Sequence, residues 1–262
     1  YVGAGVGAAM TGLRPIVELM FSDSMCVCFD ELVNEAAKLR FMFGGKVKIP
    51  LVMRAASGAG TGAAAQHSQS LEACLAHFPG LKVVIPSTPY DAKGLMKSAI
   101  HDDNPVMFLE QKKLYRTKGE VPEEDYEIPL GVADIKREGK DCTIVTYGRM
   151  VQVCLEAADA LEKEGINIEV IDIRSLLPLD TDTIIQSVKK TKHVLIVHEA
   201  VQFGGFGGEI CGQIADSEAF YYLDAPIKRL GGKSTPIPFN PKLEAETFPT
   251  VEKVIRAVKE LV

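Results

Sequence analysis

Ile49-Pro50-Leu51-Val52-Met53 is an apolar run, and Ser57-Gly58-Ala59-Gly60-Thr61-Gly62 follows it closely. Together they read as a short buried strand over residues 49–53 entering a glycine-rich loop, since glycine lets a backbone turn tightly and approach a ligand. Ala63-Ala64-Ala65-Gln66-His67-Ser68-Gln69-Ser70 then sets one imidazole at the end of that loop. In open α/β sheets, ligands settle in the crevice outside the carboxyl ends of the strands, so His67 is a site candidate by position. The competing reading is a histidine that caps or packs at the start of a helix over residues 71–77.

Outward from this stretch, strand-like runs recur at residues 47–53, 82–85 and 106–110, separated by helical segments such as 92–100. That alternation predicts parallel βα units. Upstream, residues 2–10 have the small-residue spacing of a helix pressed on a sheet, and residues 16–20 read as a strand. Gly3, Gly5 and Gly7 match a dinucleotide fingerprint poorly, because no strand precedes them and no acidic residue ends the next strand. Residues 30–40 read as a helix, acidic in its first turn and basic in its last.

Between residues 116 and 129 the chain becomes charged and proline-containing, as a linker does. Beyond it the pattern restarts, with strands at 142–146, 168–172 and 194–198 and helices at 151–164 and 181–190. Apolar residues at helical spacing in 251–262 predict a final helix docked on the second unit. The expected architecture is α/β in two domains: residues 1–120 with a mainly parallel sheet and helices on both faces, a linker over 121–135, and a second α/β domain over 136–262.

At 262 residues each domain is long enough to bury its own core. No apolar run reaches the roughly 20 residues that span a bilayer. A net charge of −6, without a long basic tract, argues against nucleic acid as a partner. The six cysteines lack metal-ligand spacing and lie in apolar segments, which predicts reduced core residues, a reducing compartment and a cytoplasmic location. The chain opens at Tyr1, without methionine and inside a structured pattern, so a preceding segment is expected.

Phosphate-loop, serine-hydrolase and zinc-protease motifs are all missing. His198-Glu199, ahead of Gly204-Gly205-Phe206-Gly207-Gly208-Glu209, marks a second loop of interest, read here as a turn and helix cap rather than a catalytic element.

Several motifs then appear in one order: Gly7-Ala8-Ala9-Met10-Thr11-Gly12-Leu13-Arg14-Pro15, Asn34-Glu35-Ala36-Ala37-Lys38, Gln66-His67-Ser68-Gln69-Ser70, and Pro79-Gly80-Leu81-Lys82-Val83-Val84-Ile85-Pro86. With Asp91-Ala92-Lys93-Gly94-Leu95 and Asp103-Asn104-Pro105-Val106, the chain resembles the β subunit of the thiamin-diphosphate-dependent first component of 2-oxo-acid dehydrogenase complexes. The resemblance covers the whole chain. Residues 170–180 resemble the C-terminal domain of transketolase-type proteins, and residues 42–46 and 57–62 look most like the acetoin dehydrogenase branch.

The resemblance implies a pyrimidine-type domain followed by a transketolase C-terminal-like domain. It also implies an enzyme that converts acetoin or a pyruvate-like 2-oxo acid to an acyl group handed to lipoamide. Two α and two β subunits would form the heterotetramer, through a β–β dimer, and a lipoyl-bearing acyltransferase component would receive the product. The α subunit would hold magnesium and the cofactor's diphosphate; this chain has no Gly-Asp-Gly motif of that kind.

Residue by residue, His67 matches the family histidine that assists acyl transfer to the lipoyl arm, a task suited to a group titrating near neutral pH. Met20 matches a residue lining the cofactor, with strand-end packing as its competing reading. Ser24 falls where the family has an aromatic residue stacked on the aminopyrimidine, and serine lacks the stacking area unless Phe21 compensates. Asp102 and Asn104, with the carbonyls of Leu51, Ala99 and Ile100, match a potassium site of some relatives, although Asp102 could equally cap a turn. The family's cofactor-activating glutamate falls just ahead of Tyr1. These 262 residues alone are therefore expected to be inactive, which leaves a non-catalytic assembly scaffold as the alternative function.

Overall fold

The computed structural model describes residues 1–262. Small side chains start the fold. Helix α1 (Val2–Met10) buries Val2, Gly5, Val6 and Ala9. A Cβ on Gly5 would stand 2.5 Å from Val17, so glycine there lets the helix lie directly on strand β1 (Ile16–Leu19). A 3-10 turn (Ser22–Cys28) and a π-helical turn (Glu31–Ala36) follow, then helix α2 (Leu39–Met42). The single α-helix expected over residues 30–40 is thus interrupted. The wider π turn keeps Leu32, Val33 and Ala36 buried while the helix beyond it still turns Leu39 to the core.

Strand β2 (Val52–Ser57) begins three residues later than residues 49–53 predicted. Pro50 has no N–H to give a ladder, and the chain around it is pinned differently: Ile49 N–H donates to Asp103 O at 3.1 Å and Leu51 N–H to Ile49 O at 2.8 Å. Ile49 and Leu51 remain buried all the same. Helix α3 (Glu72–Ala76), strand β3 (Lys82–Val84), helix α4 (Pro89–His101) and strand β4 (Val106–Gln111) complete the first half. Proline in the first turn and Thr88, whose side chain accepts from Asp91 N–H at 3.1 Å, start α4.

Residues 117–133 carry no helix or strand. The second half runs through β5 (Asp134–Arg137), β6 (Cys142–Thr146), α5 (Met150–Glu162), β7 (Ile168–Asp172), β8 (Ser175–Leu177), α6 (Thr181–Thr191), β9 (Val194–Val201), α7 (Gly207–Ala215), β10 (Lys228–Gly232), α8 (Pro241–Ala245) and α9 (Val251–Lys259).

The strands form two five-stranded sheets, in the orders β1-β2-β4-β3-β8 and β10-β9-β6-β7-β5. Pairing is parallel except at one edge of each, where β8 runs antiparallel to β3 and β5 antiparallel to β7. Strand β8 comes from the second half of the chain but closes the first sheet. The largest apolar cluster likewise joins Met53 and Leu109 of the first sheet to Val145, Ile171 and Ile196 of the second, while smaller clusters around Phe108 and around Ile144 lie wholly within the first and second halves, so the halves share a core in addition to burying their own.

No helix is long and apolar enough to cross a membrane. All six cysteines are free, yet only Cys142 and Cys154 are buried, where burial pushes both thiols up to about 12. Cys26 and Cys74 are exposed, because their helical segments turn those positions away from the core that the apolar pattern suggested.

Candidate active site

Strand β2 delivers the chain at its carboxyl end into a closed loop. Gly58 N–H donates to Gln69 O at 3.0 Å, so residues 58–69 leave and return at one point, an Ω-like loop. Gly58, Gly60 and Gly62 take φ of +84°, +93° and +68°, which side chains rarely tolerate. At Gly58 space is also short: a Cβ there would lie 2.6 Å from Glu199 Oε1.

Charged side chains from four places fix this loop. Ala59 N–H donates to Glu199 Oε1 at 2.6 Å. Gly60 N–H donates to Glu244 Oε1 at 2.7 Å, and Gly62 N–H to Glu244 Oε2 at 3.0 Å. On the returning leg, Asp23 Oδ1 accepts from Gln69 N–H and from its side-chain amide, both at 3.0 Å. Lys112 Nζ donates to the backbone carbonyl of His67. Burial pushes the Lys112 ammonium below its ordinary value, against the pull of Asp23, Glu199 and Glu244.

His67 occupies an exposed turn of this loop, entered through Ala64 at φ 60°. Its ring meets Phe21 edge-on, with centroids 4.6 Å apart at 83°. The Lys112 ammonium lies 5.2 Å above the same Phe21 ring. His67 does not cap helix α3, which starts five residues later behind Leu71 with no side-chain cap. Met20, 72% exposed, directly follows β1, and Ser24 is exposed in the 3-10 turn beyond Phe21. The ends of β1 and β2 therefore bring Met20, Phe21, Ser24 and His67 to one edge of the first sheet, since β1 and β2 pair in parallel.

The other five candidates lie at the opposite end of that sheet, ahead of β2 and β4. Leu51 O accepts from Val106 N–H at 2.9 Å. Arg14 Nη1 donates to both Ile100 O and Asp102 O at 2.9 Å. Ala99 is buried in the last turn of α4. The Asp102 carboxylate accepts from Asn104 N–H and its side-chain amide, both at 2.8 Å, and pairs with Lys82, while Asn104 Oδ1 accepts from Arg40 at 2.6 Å. Burial alone would raise Asp102, but the Lys82 and Asn104 bonds hold its carboxyl below the ordinary value. Arginine and lysine already supply positive charge to the Ile100, Asp102 and Asn104 oxygens, so the set fits a bound alkali ion poorly.

His198 and Glu199 are not in a turn. Both sit within β9, because the strand runs three residues past the predicted end. His198 is fully buried, bonded through Nδ1 to Ala200 O at 3.0 Å, and burial pushes it down to about 4. Glu199 reaches across to the loop, with Arg149 Nε 3.2 Å from its other oxygen. Burial raises its carboxyl, and Arg149 and the Ala59 amide oppose the rise. Glu244 and Lys112 carry no motif, and nothing local in the sequence marks them as loop anchors.

Residues 1–118 match the family model described as transketolase, pyrimidine binding domain, and residues 131–254 match transketolase, C-terminal domain. The chain is 51% identical over 261 residues to acetoin:2,6-dichlorophenolindophenol oxidoreductase subunit beta of Bacillus subtilis (strain 168), covering 100% of this chain and 76% of that protein. It is 50% identical to pyruvate dehydrogenase E1 component subunit beta of Rickettsia felis, covering 100% and 80%. Identity to 2-oxoisovalerate dehydrogenase subunit beta of Bacillus subtilis is 46%, covering 99% and 80%. A solved structure described as split gene transketolase, inactive beta4 tetramer, shares the fold with a TM-score of 0.80 at 24% identity, over 99% of this chain and 79% of that one.

Proposed function

The chain belongs to the family of acetoin, pyruvate and 2-oxoisovalerate dehydrogenase β subunits, and from that premise we propose that it serves a thiamin-diphosphate-dependent enzyme. That enzyme oxidises acetoin or a pyruvate-like 2-oxo acid and passes the acyl group to lipoamide. The observation that carries the reading is His67, exposed on a loop whose backbone is fixed by four charged side chains, next to Phe21 and Met20 at the carboxyl edge of the first sheet.

The residues at that edge fit one half of the cofactor. The exposed thioether of Met20 and the ring of Phe21 offer apolar surface to a flat heteroaromatic ring, and Ser24 adds a hydroxyl without stacking area. Magnesium and the diphosphate are assigned to a partner α subunit. When bound, thiamin diphosphate supplies a nucleophilic thiazolium carbon that can carry the acyl unit. In this reading His67 would deliver or accept a proton at the sulfur of an incoming lipoyl arm, with Phe21 against its ring and Lys112 on its backbone carbonyl supporting the residue.

Two α and two β subunits, joined through a β–β contact, would complete the site. Within the subunit, residues 1–120 and 136–262 would be the domains and 121–135 the linker. Six free cysteines accord with a reducing, cytoplasmic location.

The test is reconstitution of the protein carrying this chain with its α subunit. Reduction of 2,6-dichlorophenolindophenol and acylation of lipoamide are then followed with acetoin, pyruvate and a branched 2-oxo acid. Thiamin-dependent turnover of at least one of them is expected. Absence of turnover with all three, from a correctly assembled complex, would overturn the reading.

A further inference from the structure

We propose that Glu244 is a positioning residue for His67, a carboxylate of the second half of the chain that sets the attitude of the catalytic loop. The inference rests on the reading of His67 as the proton-transfer group in acyl transfer, and it goes beyond that reading by naming what holds the loop in place.

Glu244 is 3% exposed, and its carboxylate takes hydrogen bonds from two loop amides at once, Gly60 through Oε1 and Gly62 through Oε2. Charge-assisted bonds of this kind are short and directional, so two of them fix both the position and the tilt of the loop's outgoing leg. Both amides are presented to the carboxylate from backbone at φ of +93° and +68°, which glycine adopts with little strain.

The mount is itself rigid. Asn240 Oδ1 caps the helix carrying Glu244, accepting from Lys242 N–H at 3.0 Å, and Pro241 occupies its first turn. Beyond the helix, Thr247 Oγ1 donates back to Glu244 O at 2.6 Å, and Thr247 O accepts from Lys233 N–H at 2.7 Å. The carboxylate is therefore built into the second half of the chain rather than borrowed from a mobile surface side chain.

The other end of the lever is short. From Gly62 the chain turns through Ala64 at φ 60°, and His67 N–H returns to Ala64 O at 3.4 Å. A shift of the Gly60–Gly62 amides has few bonds in which to dissipate before it reaches the imidazole. Misplacement by about 1 Å can cost on the order of 10²-fold in rate. Glu199 and Asp23 hold neighbouring points of the loop, so loss of Glu244 loosens one leg without releasing the whole.

The experiment compares wild type, Glu244→Gln, Glu244→Asp and His67→Asn in the assembled complex. Three quantities are read: lipoamide acylation, dye reduction, and amide hydrogen exchange at Gly60 and Gly62. Glutamine keeps the size but can accept at only one oxygen. Aspartate keeps the charge but withdraws it by one methylene, and serves if the glutamine variant fails to assemble. The proposal expects faster exchange at both glycines, and a loss in kcat for acylation of about 10- to 10²-fold that exceeds the loss in dye reduction. Unchanged exchange would show that the carboxylate does not hold the loop. Faster exchange with undiminished acylation would show that the hold does not position His67. If His67→Asn lacks the same selective loss, the reading of His67 fails, and the proposal falls with it for a reason distinct from the clamp.

Discussion

At the scale of single residues, the account turns on His67 and the two groups that orient it. Its ring leans edge-on against Phe21, and its backbone carbonyl is taken by Lys112. General acid–base catalysis by one side chain contributes about 10²- to 10⁴-fold, so His67→Asn should lower lipoamide acylation within that range, read from steady-state rates of the assembled complex. Lys112→Met should give a smaller loss, since it removes a hydrogen bond to the backbone and leaves the imidazole in place. An equal or larger loss from Lys112→Met would mean that the ammonium itself meets substrate. His67 was visible in the sequence because an imidazole beyond a glycine-rich loop is unusual enough to mark itself. Lys112, one of three basic residues between positions 112 and 116, is marked by nothing local.

At the scale of elements, the loop between β2 and α3 depends on backbone that only glycine adopts cheaply. Gly58→Ala would hold a side chain at φ +84° and drive its Cβ to within 2.6 Å of the buried Glu199 carboxylate. A destabilisation of about 1–3 kcal/mol follows, to be measured by urea denaturation. A change below about 0.5 kcal/mol would mean that the loop yields locally and is not clamped. The elements themselves were largely legible. Strands β6 and β7 fall where the uninterrupted apolar runs at 142–146 and 168–172 put them. Strand β2 was displaced because an apolar pattern does not register that Pro50 lacks a donor, and the helix at 30–40 was read as regular because a π turn leaves the composition unchanged. The loop's anchors were illegible for a different reason: Glu199 and Glu244 lie 140 and 184 residues from the amides that they accept from, and nothing in a local pattern reports that pairing.

At the scale of the whole molecule, the two halves are tied by buried charge as well as by a shared core. Arg174, at φ 53°, donates to Asp91 Oδ1 at 3.1 Å, Lys136 lies 3.0 Å from Asp91 Oδ2, and Ser87 donates to Asp172. Burial pushes Asp172 up to about 7 from its ordinary 3.8. A carboxyl raised in the folded state keeps a proton that the unfolded chain releases, so its effect is to lower stability as pH climbs from about 4 to about 7, levelling off above. Asp172→Asn should remove that contribution, and its melting temperature should gain on wild type between about pH 4 and pH 7 and hold that gain above. Glu72, raised to about 7 by burial beside Tyr147, contributes the same sign in both proteins and cancels in the comparison. A difference between the two proteins that does not change with pH would contradict the assignment. The central claim concerns a larger whole still, a cofactor site of which this chain supplies one side. Titration calorimetry with thiamin diphosphate and magnesium tests it most directly, on the protein carrying this chain, on the α subunit, and on their complex. The account predicts tight, stoichiometric binding by the complex, and binding by this protein alone that is weaker by orders of magnitude. Equal affinity with and without the α subunit would contradict it.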